Sequence, residues 1–311
     1  MKKMIIVLFI LMTVLLASSE PIVPLSQKSF DETRDVQYER GTYLIILANS
    51  YLENFLLMPL GGDFRLFKMT QGYDVDIVSL DGLGLSNADA DGIKAYLQDY
   101  YENHPMLEYV LLVGDVDGNF AIPCFYIQSI NEPEMDVTDY PYTFFNSDPI
   151  SEDYDVLAPK YFIGRWPVRN NSQLLTVKSK TIQYTTLEYI SGVGELDYLN
   201  RALLVAGNYS NNNGQEIPPS QWPVTPVWTS FWMQDRLLDY GYTQVDTAFF
   251  YAGHQITENP VISNAWSNGV GLIAYRGWGN SHGWHYPRFY IDDINLLSNG
   301  WKLPVVFSLV C

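Results

Sequence analysis

Tyr109-Val-Leu-Leu-Val-Gly-Asp115 is a short apolar run closed by a glycine and a carboxylate. With no polar residue alternating through it, the run reads as a strand covered on both faces. Two similar runs precede it, Tyr43 to Ala48 and Val75 to Leu80. The stretches between them are amphipathic. Leu52 to Thr70 is one; in the other, Ile93, Tyr96, Leu97 and Tyr100 share a helical face after the cap candidates Ser86 and Asn87. A β-α-β-α-β order predicts a parallel sheet with helices on its faces.

Downstream, residues 120 to 160 are aromatic, acidic and proline-containing, and read as an excursion or a small hairpin. A strand at Tyr161 to Arg165 and a helix from Ser172 to Tyr189, capped by Asn171 or Ser172, close the first unit. A second unit of like pattern follows. Its strands are Ala202 to Ala206, Thr247 to Tyr251, Val270 to Tyr275 and Val305 to Val310; its helices lie near Thr229 to Tyr240, Val261 to Trp266 and Ile291 to Ser298. The expected fold is therefore α/β. One subdomain covers residues 41–191 and a second covers 192–311, each a mostly parallel sheet flanked by helices.

The chain has 311 residues, 18 basic against 35 acidic side chains and a formal charge of −17. That balance, with no basic cluster, argues against binding a phosphate backbone, so no nucleic-acid partner is expected. Two cysteines, Cys124 and Cys311, are too few for a disulfide scaffold or a cysteine-ligated zinc site. Lys2, Lys3, the apolar run Met4 to Leu16 and the small residues Ala17-Ser18-Ser19 read as an export signal over residues 1–19. Residues 20–40 follow as a polar leader or pro-segment. The apolar run is shorter than the roughly 20 residues of a membrane-spanning helix. No transmembrane span is expected in the mature chain, which is placed outside the cell or at its surface.

Three strand ends carry residues suited to chemistry, and in open α/β sheets reactive groups gather beyond the carboxyl ends of the strands. Gly114-Asp115-Val-Asp117-Gly118-Asn119 offers oxygen donors for a hard cation, but without a glutamate six residues beyond the glycine it reads better as a solvated acidic turn. Tyr275-Arg-Gly-Trp-Gly-Asn-Ser-His-Gly-Trp-His-Tyr286 is a glycine-rich loop with two of the four histidines, His282 and His285. Trp278 and Trp284 could wall a pocket there. Cys311 ends the last apolar run: a thiol beside an imidazole can be held as a nucleophilic thiolate, and a thiol behind so apolar a run can equally be buried and inert. His104 and His254 read as structural. No Gly-x-Ser-x-Gly elbow supports an α/β-hydrolase.

An apolar block, a loop with His282-Gly283, a spacer and a second apolar block ending in Cys311 resemble the caspase–gingipain clan of cysteine peptidases, and most closely the gingipain-like C25 family. Tyr43 to Ala48, Tyr109 to Asp115, Tyr161 to Pro167 and Gly269 to Cys311 all look like family segments. The resemblance implies a caspase/gingipain-like fold and a secreted cysteine endopeptidase acting on protein or peptide substrates. Cys311 would be its nucleophile and a histidine its base. The family's Gly-His-Gly reads here Gly277-Trp278-Gly279, so His285 or His282 must supply the base, His285 being preferred; Asp292 or Asp293 are candidates to orient it. Backbone N–H groups near Gly279 or Gly283 and Cys311 would form the oxyanion site. The resemblance also implies structural calcium, with Asp115, Asp117, Asp153 and Asp155 as ligands. Because the family's nucleophile lies inside its domain, the chain is expected to be C-terminally truncated and inactive as it stands, with any cell-surface association left to missing C-terminal regions. The competing expectation is a catalytically inactive relative that acts as a surface binding or adhesion module.

Overall fold

The structure is a computed structural model that describes residues 40–128, 135–145, 158–187, 193–208 and 225–310. The expected export signal, most of the leader, Asp153, Asp155 and Cys311 lie outside the described residues. The chain divides into two compact units between Ile182 and Gln183.

The first unit is a four-stranded, all-parallel sheet. Strands β1 (Thr42–Leu47), β2 (Asp74–Ser79) and β3 (Leu107–Val113) correspond to the three runs expected as strands, with β2 the least buried of them. A hairpin of β4 (Phe125–Gln128) and β5 (Met135–Thr138) interrupts the plan before β6 (Phe162–Trp166), and the sheet order is β2-β1-β3-β6. Central strands β1 and β3 are buried nearly throughout, so the core lies on both faces of the sheet. On one face Leu44, Ile46, Val110 and Leu112 pack with Ile93, Leu97 and Tyr100 of a long helix; on the other Ile45, Leu47, Leu111 and Val113 meet Leu52, Phe64 and Leu174.

Helix boundaries are set by caps. The amphipathic stretch from Leu52 to Thr70 is two short helices, α1 (Tyr51–Leu57) and α2 (Phe64–Thr70), because Pro59, Gly61 and Gly62 break it and Asp63 caps the second. Helix α3 (Ala90–Asn103) is capped by neither Ser86 nor Asn87: the Asp89 carboxylate accepts from the Gly92 N–H. Helix α4 (Asn171–Thr186) likewise begins one residue earlier than expected, with the Asn170 side chain accepting from the Gln173 N–H.

In the second unit β7 (Arg201–Gly207), β8 (Gln244–Phe250), β9 (Leu272–Gly277) and β13 (Val305–Val310) form another all-parallel sheet, in the order β13-β9-β7-β8. Helix α5 (Pro226–Tyr240), capped by Thr225, packs on one face through Val227, Met233 and Leu237; α6 (Pro260–Asn268), capped by Asn259, packs on the other through Ile262 and Ala265. The expected helix from Ile291 to Ser298 is a single turn, α7 (Ile291–Ile294). Strand β13 also differs from expectation: it is an edge strand, and all six of its residues are exposed. Among the described residues no helix is long and apolar enough to cross a membrane.

Candidate active site

Strands β9 and β13 run parallel in register, so that Val310 pairs with Gly277. The glycine-rich loop begins where these strands end. It folds into three very short antiparallel strands, β10 (Gly279–Asn280), β11 (Gly283–Trp284) and β12 (Phe289–Tyr290), in which Gly279 pairs with Trp284 and Gly283 with Tyr290. Gly283 has φ +138°, and a Cβ there would sit 2.5 Å from the carbonyl oxygen of Phe289. A bare backbone at this point is what lets β12 close on β11. The His282-Gly283 dipeptide is thus explained by its glycine as much as by its histidine.

Trp284 fixes the loop to the sheet. Its buried indole stacks on Tyr275 with centroids 4.5 Å apart, and its Nε1–H donates to the Ser308 Oγ of β13 at 2.9 Å. The Tyr275 hydroxyl, buried and pushed up in pKa chiefly by desolvation, donates to the Trp278 carbonyl at 2.6 Å. That carbonyl also accepts the His285 backbone N–H at 3.0 Å. Trp278, at the position where the resemblance places a histidine, therefore turns its carbonyl inward, and the residue is 42% exposed.

The imidazole of His285 lies against that ring, edge to face, with centroids 4.1 Å apart. Tyr286 flanks it at 4.4 Å, and its Nδ1 is 3.1 Å from the Tyr290 hydroxyl. Desolvation lowers its pKa, because a charged imidazolium is poorly hydrated among aromatic rings. His282 is exposed; its ring centroid is 6.0 Å from that of Tyr290, and its main chain is held by Asn280 and Ile291. The loop thus brings His285, not His282, against the residue that follows β9. Neither Asp292 nor Asp293 is the group on His285. Asp293 accepts the Tyr290 backbone N–H at 2.7 Å, and Asp292 is exposed. The residue that sequence reasoning passed over is Tyr290, whose proximity depends on the closure of strands too short to leave a periodic signal.

The other two histidines are structural: His104 stacks on Tyr100 at 4.1 Å with Nδ1 3.0 Å from its carbonyl, and His254 closes a bridge to Tyr251. The acidic turn after β3 holds a cation of the protein's own. Arg169 pairs with Asp115 and, at 2.8 Å, with Asp117; this hydrogen bond is the main reason that the Asp115 carboxyl is held below its ordinary pKa. Calcium takes roughly six to eight oxygen ligands. Asp115 and Asp117 are already paired with a guanidinium, and among the described residues, which leave out Asp153 and Asp155, no group of three or more His, Cys, Asp or Glu side chains could hold a metal. Next to this turn Arg165 is a partly buried hub. Its guanidinium pairs with both carboxylate oxygens of Asp139 and donates to the carbonyls of Gly114, Asp115, Ile122 and Pro123. The Val113-Gly-Asp and Ile163-Gly-Arg segments are therefore one structural device.

A model of peptidase family C25 matches residues 37–311. The chain belongs to peptidase family C25. It is 24% identical over 277 residues to gingipain R2 and 23% identical to gingipain R1, both of Porphyromonas gingivalis; the matches cover 88% of this chain, and 32% and 24% of those proteins. Among solved structures it is similar to the Arg-specific cysteine proteinase gingipain R, with TM-score 0.67, 23% identity and coverage of 89% of this chain. It is also similar to the complex of the pro- and mature domains of Porphyromonas gingivalis RgpB, with TM-score 0.66, 23% identity and 87% coverage. It spans 56% of each of those solved chains, and a third or less of the curated relatives. The expected α/β fold, with parallel sheets flanked by helices, is the one observed and is shared with these gingipain structures.

Proposed function

We propose that this chain carries the nucleophile and base of an exported cysteine endopeptidase, with Cys311 as nucleophile and His285 as its proton carrier. The observation that supports this best is the convergence at the end of β9. Val310, the residue before Cys311, pairs with Gly277, while the His285 ring packs on Trp278, immediately before Gly279 turns the chain back. A Cβ on Gly279 would lie 2.9 Å from the Val310 side chain, so the loop and the end of β13 are neighbours.

The chemistry is acyl transfer. The Cys311 thiolate adds to the scissile carbonyl of a protein or peptide, and the C–N bond breaks as the His285 imidazolium gives its proton to the leaving amine. The neutral imidazole then takes a proton from water as the new C–O bond forms, and the C–S bond breaks to return the thiolate. Backbone N–H groups near Gly279 or Gly283 and at Cys311 are assigned to the developing oxyanion. Desolvation lowers the pKa of His285, which favours the neutral imidazole that takes the proton from water in the second step, while the imidazolium of the first step depends on the neighbouring thiolate charge. Export rests on the charged, apolar and small-residue stretches of residues 1–19. Sequencing of the exported protein is expected to find a start near Glu20; retention of Met1 would overturn that part.

The site is tested by reaction with a peptidyl chloromethyl ketone in a Cys124→Ser background. Mass spectrometry is expected to find the adduct on Cys311. His285→Ala should slow its formation by about a hundredfold or more, and His282→Ala should leave it nearly unchanged. An unmodified Cys311, or loss of reaction in His282→Ala alone, would overturn the assignment.

A further inference from the structure

A base that exchanges protons through one ring nitrogen needs the other nitrogen held, because a free imidazole rotates and divides its proton between two tautomers. In the proposed pair that second nitrogen is Nδ1, and the group on it is a phenol. We infer that Tyr290 is the positioning residue of His285, its hydroxyl accepting the Nδ1 proton and so reserving Nε2 for exchange with Cys311. This rests on the Cys311–His285 reading above.

Three observations carry it. The Tyr290 hydroxyl lies 3.1 Å from Nδ1, and its ring is nearly parallel to the imidazole at 24°. Tyr290 is itself fixed: its main chain pairs with Gly283, its N–H donates to Asp293 and the Arg288 guanidinium lies 5.3 Å from its ring centroid. Arg288 pairs in turn with Glu258 at 2.8 Å. The other groups around His285 are the Trp278 and Tyr286 rings. Among the described residues no carboxylate has an ion pair or hydrogen bond to the imidazole. A phenol differs from a carboxylate in a way that matters for the chemistry. It directs the proton and orients the ring, yet adds no negative charge to stabilise the imidazolium, and so leaves the lowered pKa of His285 uncorrected.

Tyr290→Phe separates positioning from packing, since phenylalanine keeps every ring contact and removes only the hydroxyl. The readout is the rate of Cys311 alkylation by iodoacetamide against pH, in a Cys124→Ser background, which follows the thiolate population. Tyr290→Phe is expected to slow alkylation at pH 7 by about three- to tenfold and move the profile toward higher pH. His285→Ala should move it further in the same direction. A Tyr290→Phe profile equal to that of the parent, beside a shifted His285→Ala profile, would overturn the role of Tyr290 and leave the dyad standing. If His285→Ala also leaves the profile unchanged, the dyad reading fails, and the positioning role fails with it. Nitrogen-15 spectra of the parent protein give an independent check: neutral His285 is expected as the Nδ1–H tautomer, and the Nε2–H tautomer would contradict the inference.

Discussion

A Cβ on Gly207 would land on the carbonyl oxygen of Tyr286, the residue after His285. The end of β7 is therefore the seat on which the histidine loop rests, and side-chain volume there must push the loop away. Gly207→Ala is expected to cost about 1–3 kcal/mol of unfolding free energy and to lower the reactivity of Cys311 toward a peptidyl probe. A variant with parent reactivity would show that the loop does not depend on this seat. Arg165 is the corresponding residue of the first unit, joining Asp139 to four main-chain carbonyls with its side chain only 10% exposed. Replacing it by methionine strands the Asp139 carboxylate and those carbonyls together. The expected loss is about 3–5 kcal/mol, read as a lower urea midpoint at unchanged slope.

Short helices in this chain end on charged groups borrowed from elsewhere. Lys178 of α4 is fully buried, and its ammonium donates to the carbonyls of Phe55 and Met58 at the end of α1, at 2.8 and 2.9 Å. Burial lowers its pKa, yet these carbonyls give the charge a place to sit. Lys178→Met should lower stability by about 2–4 kcal/mol, because buried acceptors lose their donor; chemical denaturation measures it. At the other end of α1, Asp81 accepts both the N–H and the hydroxyl of Ser50. The hydrogen bonds from Ser50 and Ser79 lower its pKa from 3.8 to about 2. A carboxylate with a depressed folded-state pKa stabilises above its unfolded value and loses that contribution as pH falls through the folded one. The pH-dependent part of the stability difference between the parent and Asp81→Ala should thus be constant above about pH 5 and shrink as pH falls through about 2; a difference that stays the same from pH 5 down past pH 2 would contradict the assignment.

The elements show what patterning carries and what it does not. Buried parallel strands announce themselves, because both faces of Tyr43 to Leu47 and Tyr109 to Val113 are apolar. Caps are less legible: Ser86, Asn87 and Asp89 are all good capping types, and geometry alone selects Asp89. The site was legible as a loop with two histidines at a strand end. His285 is preferred over His282 already in the sequence, and the nearby Tyr290 emerges only once strands of two residues pair.

At the scale of the whole molecule the exposed strand β13 stands out. Val305 to Val310 has the composition of a core strand, yet it forms an edge with Phe307 53% and Leu309 63% exposed. Periodicity cannot distinguish a strand covered on both faces from an apolar edge, which is why the run reads as buried in the sequence. An uncovered apolar edge templates pairing between chains. Cys311 follows that strand in the sequence, so the account stands or falls on that end of the sheet. The most direct test is a crystal structure of the protein with a peptidyl inhibitor bonded to Cys311. The expected result is His285 Nε2 within about 4 Å of the Cys311 Sγ, with the Tyr290 hydroxyl on Nδ1. A sulfur approached by His282, or by no imidazole at all, would contradict the account.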